Sequence, residues 1–337
     1  MTIQVYDTHT LLGVLRGLDP FTPFFLNMFY PSVITFQTSK IDFDVVAEDT
    51  TLAPFVSPMV AGKAIKSQGG ELRSFSPAYI KPKHVVDPER VLRRRPGEVI
   101  GGAMSPSARR DAIVADVLDL ERRQILRRLE WMGVQGILNG KVLVSGEDYP
   151  EVEVDFQRDA ANTIVLAGLN VWTDTVNADP LSDLEAWNDQ AEAPITDFIM
   201  DSGGWKLFIA FDSVQKLLET RRGSESRVEM APDNDKWVQY KGEIGSFRFW
   251  VYKGYYTDDN GVKQNFMPAN TVVGASSAVE GVRAFGAILD GEAGYQAMEM
   301  FPKNWMNKDP AVEYLMTQSA PLMIPSRVNA AVKVTVA

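Results

Sequence analysis

The sequence contains no cysteine and only two histidines, His9 and His84, among its 337 residues. Without cysteine the chain cannot form disulfides, Cys-ligated zinc sites or a thiol nucleophile. No stretch approaches the roughly 20 apolar residues that a transmembrane helix needs. The first residues, MTIQVYDTHTLL, lack the basic start and the apolar run of a secretory signal. We therefore expect a thiol-free protein made inside the cell, with no membrane partner.

The charge of the chain is distributed unevenly. The formal net charge is −10, which argues against a general nucleic-acid binder. Residues 81–128, however, hold 12 Lys and Arg against 7 Asp and Glu, a net +5, while the remaining residues hold 22 against 37, a net −15. Three interpretations of the basic part stay open: a solvated face, contact with phosphate, or contact with the acidic part of another copy.

The N-terminal region is rich in aromatic residues interrupted by prolines. Pro20, Pro23 and Pro31 exclude a long helix there. The aromatic side chains in this short segment must cover another surface, either that of their own domain or that of a neighbouring copy. They are Phe21, Phe24, Phe25, Phe29 and Tyr30.

A long polar hairpin is predicted after this segment. Residues 33–47 alternate as a strand does, and Gly69-Gly70 between two strand-compatible runs predicts a turn. The hairpin has few residues that could fill a core, and isolated two-stranded ribbons are marginal in water. We therefore expect it to become ordered against a partner.

Helical spacing is strongest over residues 105–138, and the other patterns alternate between strand and helix. Ser105 can cap this helix, Pro106 suits its first position and Gly140 can end it. Residues 141–156 predict a strand pair, 180–222 two helical pieces divided by Pro194, 236–256 antiparallel strands with a turn at 258–261, and 311–337 two more strands. The mixture predicts an α+β fold.

No catalytic motif is found. Gly62-Lys63 is followed by Ala64, not by the Ser or Thr of a phosphate-binding loop, and neither H-E-x-x-H nor G-x-S-x-G occurs. His84 is expected at a turn or an interface. The acids of residues 141–156 and of the Asp258-Asp259 turn could bind a cation, but a solvated strand face is the stronger interpretation. We expect no catalytic residues, no cofactor and no metal site.

Several long blocks of the sequence resemble the major capsid proteins of lambda-like tailed bacteriophages. They occur in order over nearly the whole chain. The blocks are VSPMVAGKAIKSQGGELRSFSPAYIKPKH (56–84), LRRRPGE (92–98), LNGKVLVSGEDYPEVEVDFQR (138–158), GWKLFIAFDSVQKLLETRRGSES (204–226), YKGEIGSF (240–247), KQNFMPANT (263–271), GVRAFG (281–286) and PKNWMNKDPAVEYLMTQSAPLMI (302–324).

The resemblance implies the Hong Kong 97-type capsid fold. An N-terminal arm (1–33) and an extended loop (34–85) would reach over neighbours. A peripheral domain with the long spine helix (86–175), an axial domain (176–305) and return strands of the peripheral domain (306–337) would form the body. The family assembles hexamers and pentamers into an icosahedral shell around double-stranded DNA, in the virion, after assembly in the host bacterial cytoplasm.

The resemblance also implies partners and interface residues. Beyond copies of itself, we expect a separate scaffolding protein, a portal, a possible decoration or cementing protein and the packaged DNA by non-specific contact. A scaffold fused to the N-terminus is not expected, because only an arm and a loop precede the helix. The candidate inter-subunit contacts are Phe21, Phe24, Phe25, Phe29, Lys63, Lys66, Arg73, Lys81, Lys83, Arg93, Arg94 and Arg95.

Some relatives cross-link Lys to Asn covalently. Lys63, Lys66 and Asn304 are present here, but no carboxylate is placed beside them by the sequence. We therefore expect non-covalent assembly. The alternatives are another phage structural subunit, such as a tail tube, and a phage maturation enzyme, against which the missing nucleophile and base count.

Overall fold

The computed structural model describes residues 23–38, 40–45, 71–93, 104–146, 149–222, 237–258, 260–309 and 311–337. The helices are α1 (Phe24–Phe29), α2 (Pro88–Leu92), α3 (Pro106–Asn139), α4 (Pro180–Gln190), α5 (Ser202–Phe208) and α6 (Asp212–Arg222), with 3-10 turns at Ala160–Asn162, Gly168–Asn170, Ser277–Val279 and Val328–Ala330. No helix in these ranges is long and apolar enough to cross a bilayer.

The strands alternate with these helices along the chain. They are β1 (Ser32–Thr35), β2 (Ile41–Val45), β3 (Glu71–Phe75), β4 (Lys83–Val86), β5 (Lys141–Gly146), β6 (Tyr149–Asp155), β7 (Thr163–Val165), β8 (Asp197–Met200), β9 (Val238–Ile244), β10 (Phe247–Tyr252), β11 (Tyr255–Thr257), β12 (Lys263–Asn265), β13 (Thr271–Ala275), β14 (Gly281–Phe285), β15 (Phe301–Met306), β16 (Glu313–Gln318), β17 (Pro321–Pro325) and β18 (Val332–Thr335).

The long helix α3 organises the fold, and its prediction is confirmed. The Ser105 hydroxyl accepts the N–H of Ala108 at 3.2 Å, which satisfies one of the free donors at the helix start. Gly140 ends the helix in the left-handed conformation, with φ 66°, that glycine adopts without steric cost. At about 1.5 Å per residue, the 34-residue helix is about 50 Å long.

Two three-stranded sheets pack along α3. The sheet β1-β14-β17 covers its C-terminal half, where every residue of β17 is buried, and α1 packs on the same half. The sheet β15-β16-β4 covers its N-terminal half. There Val86 and Leu315 of the sheet form a small core with Ile113, Val117 and Leu118 of the helix. Helix α3 is therefore a support for elements that are far apart in sequence.

The largest sheet has six strands in the order β7-β18-β13-β8-β10-β9. Helices α4, α5 and α6 lie on one face of this sheet. There Trp187 packs against Phe198, and Phe208 packs against Phe249. Residues of the opposite face, such as Ile199, belong to the main core together with α1 and α3. Both faces are covered, which explains why all four residues of β8 are buried.

Two strand pairings and one turn follow the sequence closely. Residues 141–156 form the β5–β6 ribbon, 236–256 the antiparallel pair β9–β10, and residues 258–261 a turn closed by the Gly261 N–H donating to the Asp258 carbonyl at 2.9 Å. The ends of the predicted long hairpin pair as β2 and β3, with Ile41 opposite Phe75. Its Gly69-Gly70 turn lies outside the described residues.

Other pairings differ from the expectations. The region 180–222 contains α4, then the unexpected strand β8, and then two short helices instead of one. Within 306–337, only β16 joins the sheet on the N-terminal half of α3, whereas β17 pairs with β14 and β18 enters the six-stranded sheet. Period-two patterns identify a strand, but they contain no information about its partner.

Candidate assembly surfaces

The aromatic residues of α1 lie inside their own subunit. Phe25 and Phe29 are completely buried, and the ring of Phe25 lies 5.2 Å from that of Tyr252. Phe24 is partly buried, with its ring 5.4 Å from that of Trp250. The assignment of Phe25 and Phe29 to an inter-subunit contact is therefore corrected, because the core of the same chain already surrounds them. Phe21 lies outside the described residues.

A buried carboxylate of α3 holds the start of α1. Glu130 accepts the N–H of Phe25 at 2.9 Å and of Leu26 at 3.1 Å, and the hydroxyl of Tyr252 at 3.1 Å. Burial raises the pKa of Glu130, although these hydrogen bonds oppose the shift. Burial also raises the pKa of Tyr30, whose hydroxyl donates to the Gly133 carbonyl at 2.9 Å. Glu130 thus joins α1, α3 and the six-stranded sheet.

The end of α1 is held by Arg283 of β14. Its guanidinium donates to the Tyr30 carbonyl at 2.7 Å and to the Leu26 carbonyl at 3.0 Å. Gly281 permits β14 to lie this close to the end of α1, because a Cβ atom at position 281 would lie 2.3 Å from the Phe29 carbonyl oxygen. The chain is therefore fixed at both ends of α1 before it continues into β1.

Only some of the Lys and Arg residues predicted to contact a neighbour through the extended loop are among the described residues. Lys81 is exposed with its ammonium 4.7 Å from the centre of the Tyr79 ring, and the exposed Lys83 lies 4.2 Å from that of Tyr314. The backbone of Arg73 is in β3, opposite Phe43, and its side chain is outside the description. Lys63 and Lys66 lie outside the described residues.

The arginine run at 93–95 is described only at its first residue. Arg93 donates to Glu89 one helical turn earlier at 2.8 Å, and both side chains are mostly exposed. Such exposed pairs contribute about 0–1 kcal/mol. Arg94 and Arg95 lie outside the described residues.

The arginines on the outside of α3 are engaged within the chain. Arg123 pairs with Asp119 at 2.7 Å, and the Arg128 guanidinium lies 5.4 Å from the centre of the Trp131 ring. Arg109, Arg122 and Arg127 have intramolecular interactions as well. This favours a solvated helical face over a surface of unsatisfied cations for phosphate.

Two polar networks under the β15-β16-β4 sheet were not predicted. His84 lies on β4 with Nδ1 3.1 Å from the carboxylate of Glu121, which also accepts the Thr317 hydroxyl at 2.6 Å. Burial raises the pKa of Glu121, and the bonds from Thr317 and His84 oppose this shift. His84 is therefore a structural partner of α3 rather than a turn residue. The helical spacing places Glu121 on the apolar face of α3. This spacing is the only sequence signal for its burial.

The second network surrounds Asn304. Glu313 accepts both Nε and Nη2 of Arg110, at 2.8 and 2.7 Å, and the Asn304 amide at 2.7 Å. A carboxylate does stand beside Asn304, contrary to what the sequence indicated. Both of its oxygens are engaged by Arg110, which opposes a role as a proton acceptor.

The acidic candidates that the structure describes do not come together as a cation site. No group of three or more potential ligands is found among the described residues, which exclude Glu147, Asp148 and Asp259. The Asp258 carboxylate accepts the N–H groups of Asn260 and Val262 in its own turn, which lowers its pKa. Its geometry is that of a turn-forming residue.

The described residues thus combine a long helix that supports two small sheets, a six-stranded sheet that shares its core, and the β2–β3 ribbon, and the comparisons with known proteins identify this arrangement as that of a phage capsid protein. A family model described as phage major capsid protein E matches residues 7–336. The chain belongs to this family, and it is a subunit of the phage head shell in the virion.

Relatives and solved structures agree with this assignment. The chain is 39% identical to the major capsid protein of Escherichia phage N15 and 38% identical to that of Escherichia phage lambda, in each case over 329 residues and 96% of both chains. The crystal structure of a putative capsid protein of a prophage in E. coli CFT073 matches with a TM-score of 0.80 and 30% identity, over 99% of this chain and 100% of the other. The mature capsid protein of bacteriophage PhiM1, with a TM-score of 0.51 and 10% identity over 94% and 88% of the chains, shares the fold. The fold is of the Hong Kong 97 type.

Proposed function

We propose that this chain assembles as hexamers and pentamers into an icosahedral head shell that encloses phage double-stranded DNA. The observation that carries the proposal is the β2–β3 ribbon, whose strands pair only with each other among the described residues. Ile41 and Phe75 at its base are buried, but a two-stranded ribbon is marginal in water by itself. A neighbouring subunit supplies the surface against which such a ribbon gains stability.

The proposed division of labour follows the order of the chain. Residues 1–33 are the proposed arm, whose described part contains the docked helix α1 and the start of β1. Residues 34–85 are the proposed extended loop, of which residues 34–35 belong to β1. Residues 86–175 form the peripheral domain around α3, and 176–305 the axial domain. The return segment 306–337 serves both, because β18 lies in the six-stranded sheet.

The proposed partners are the proteins and the DNA that a non-enzymatic head shell contacts. A separate scaffolding protein directs assembly in the host cytoplasm, a portal occupies one vertex and a decoration protein can bind outside. The packaged DNA contacts the shell weakly and without sequence preference. This proposal agrees with the arginines of α3, which already interact with other groups of the same chain. The chain performs no catalytic step, and the shell is held together non-covalently because Arg110 occupies the carboxylate next to Asn304.

Lys81 and Lys83 remain the described candidates for contacts to the acids of a neighbour. Lys81→Glu should lower the yield of shells, whereas the matched Lys81→Gln should lower it less, because a repulsive charge is added only in the first variant. The melting temperature of the dispersed subunit should be unchanged in both. Normal shells from Lys81→Glu would place Lys81 outside the interface.

The decisive experiment is negative-stain microscopy of the protein expressed with a candidate scaffolding protein and alone. Polyhedral shells or five- and six-fold capsomers are expected. Tubes would support a tail-tube subunit instead, and dispersed monomers under all conditions would contradict assembly altogether.

A further inference from the structure

A ridge of exposed apolar side chains lies beside the β7 edge of the six-stranded sheet. Val165, Leu169 and Val176 are 69%, 65% and 88% exposed. They occur within one short segment that is fixed to the sheet, since the N–H groups of Leu166 and Trp172 donate to β18 and the residue after it. Three strongly exposed apolar residues within 12 positions of an ordered segment make it a candidate protein contact. We call these three residues the apolar ridge.

The surroundings of the apolar ridge are acidic. Residues 163–191 contain no lysine or arginine. The carboxylates of Asp174, Asp179 and Asp183 accept hydrogen bonds within this segment, which leaves Glu185 and Asp189 as its acids without a partner among the described residues. Glu185 and Asp189 are exposed on α4, which packs behind the ridge. The acidic residues of this segment are Asp174, Asp179, Asp183, Glu185 and Asp189.

The opposite edge of the same sheet has the complementary character. Strand β9 pairs with β10 on one side and with no described strand on the other. Along it lie the exposed Lys241 and the half-buried ring of Tyr240, which contacts Trp250 at 4.9 Å. The exposed Lys253, just after β10, reaches this strand by donating to the Gln239 side chain at 3.2 Å. The acids nearby are engaged: Glu243 has a partner, and Asp258 is bound by its own turn. We call Tyr240, Lys241 and Lys253 the β9 edge.

Surfaces at opposite ends of one sheet suit a cyclic assembly. A two-fold contact joins a patch to itself, whereas a ring requires two different patches that meet head to tail. The apolar ridge would repel its own copy through its surrounding carboxylates, but it matches a surface with lysines and aromatic rings. Resting on the proposed shell function, we infer that the apolar ridge of one subunit packs on the β9 edge of the next around each hexamer and pentamer.

The absence of cysteine from the chain allows a direct test by disulfide formation. Val165→Cys and Lys241→Cys are introduced together, and each alone in matched controls. Leu169→Cys with Lys253→Cys forms a second pair, which covers the case in which the first pair perturbs folding. Shells are formed, oxidised mildly, denatured without reductant and separated on gels, and the same samples are viewed by negative-stain microscopy.

The inference predicts a ladder of linked subunits, ending at the ring size, from a double variant. Chains that carry only Val165→Cys or only Lys241→Cys should give no linked product alone and only dimers when co-expressed. Normal shells without a ladder from either pair would overturn the inference and leave the shell function intact. Dimers from Val165→Cys alone would overturn it in favour of a two-fold contact. Absence of shells from the unaltered chain would instead overturn the proposed function.

Discussion

Replacement of Glu130 by alanine tests how α1 is anchored. The carboxylate accepts two backbone N–H groups, of Phe25 and Leu26, and the Tyr252 hydroxyl at 2.9–3.1 Å, and all these residues are buried. Alanine removes the three bonds together. It leaves two backbone donors at the start of α1 without a partner in a water-excluded site.

The size of the effect follows from these donors. A buried unsatisfied donor costs about 1–3 kcal/mol, so two cost about 2–6 kcal/mol. Removal of the carboxylate offsets part of this loss of stability, because the free-energy cost of burying its charged form is removed as well. That cost is the reason why burial raises the pKa of Glu130. We expect Glu130→Ala to lower the free energy of unfolding by about 2–4 kcal/mol.

Glu130→Gln is the matched control. Its amide has the same size and its oxygen can still accept the Phe25 N–H and the Tyr252 hydroxyl. Its NH2 group faces the Leu26 N–H, however, so a loss of about 1–3 kcal/mol is expected. Glu130→Gln also removes the titratable carboxyl group, so the pH dependence of stability that Glu130 contributes is absent in this variant. Because the folded pKa is raised, the native state binds a proton in a pH range in which the unfolded chain, with a pKa of about 4.3, has lost it. The stability from this group is thus complete below that pKa and is lost as the pH rises through the raised value.

The assay is urea unfolding of dispersed subunits, followed by tryptophan fluorescence at about pH 5 and about pH 8. The stability of the natural chain relative to Glu130→Gln should be greater at the lower pH. Glu121 also has a raised pKa, but it is common to both chains and cancels in the difference. A loss below about 0.5 kcal/mol for Glu130→Ala, or a pH-independent difference, would refute the reasoning.

Three further outcomes are expected. Gly281→Ala places a Cβ 2.3 Å from the Phe29 carbonyl oxygen and should yield insoluble subunit, whereas Gly146→Ala, with its nearest neighbour at 3.8 Å, should remain soluble in the same expression test. Arg110→Ala leaves the buried Glu313 without its cation and should cost about 3–5 kcal/mol in urea unfolding, and a loss under 1 kcal/mol would contradict a paired carboxylate. Mature particles boiled in denaturant should give a single band near 37.4 kDa, and a ladder would disprove non-covalent assembly.

Local signals were sufficient for several elements. Ser105, Pro106 and Gly140 set the limits of α3 to within one residue, since capping depends on neighbours in sequence. The alternation over 141–156 and 236–256 similarly gave the β5–β6 and β9–β10 pairs, whose partners are adjacent along the chain. Short connections leave few alternative pairings.

Long-range partners were decided only by the tertiary structure. Phe25 and Phe29 had two interpretations, their own domain or a neighbour, because aromatic composition records that a surface is covered without identifying the surface. Glu121, Glu130 and Glu313 are buried acids whose partners come from distant parts of the chain. Their partners lie between 9 and 203 residues away, so no local pattern contains them.

The sequence by itself determined a thiol-free α+β chain with a long capped helix, a polar hairpin and a split charge, because these depend on composition and on neighbouring residues. The tertiary structure decided that α1 is buried between α3 and the six-stranded sheet, that β18 lies between β7 and β13 of this sheet, and that its two edge strands, β7 and β9, expose different side chains. These features arise where distant segments share one core, and the physical reason is that burial and strand pairing are properties of the assembled chain.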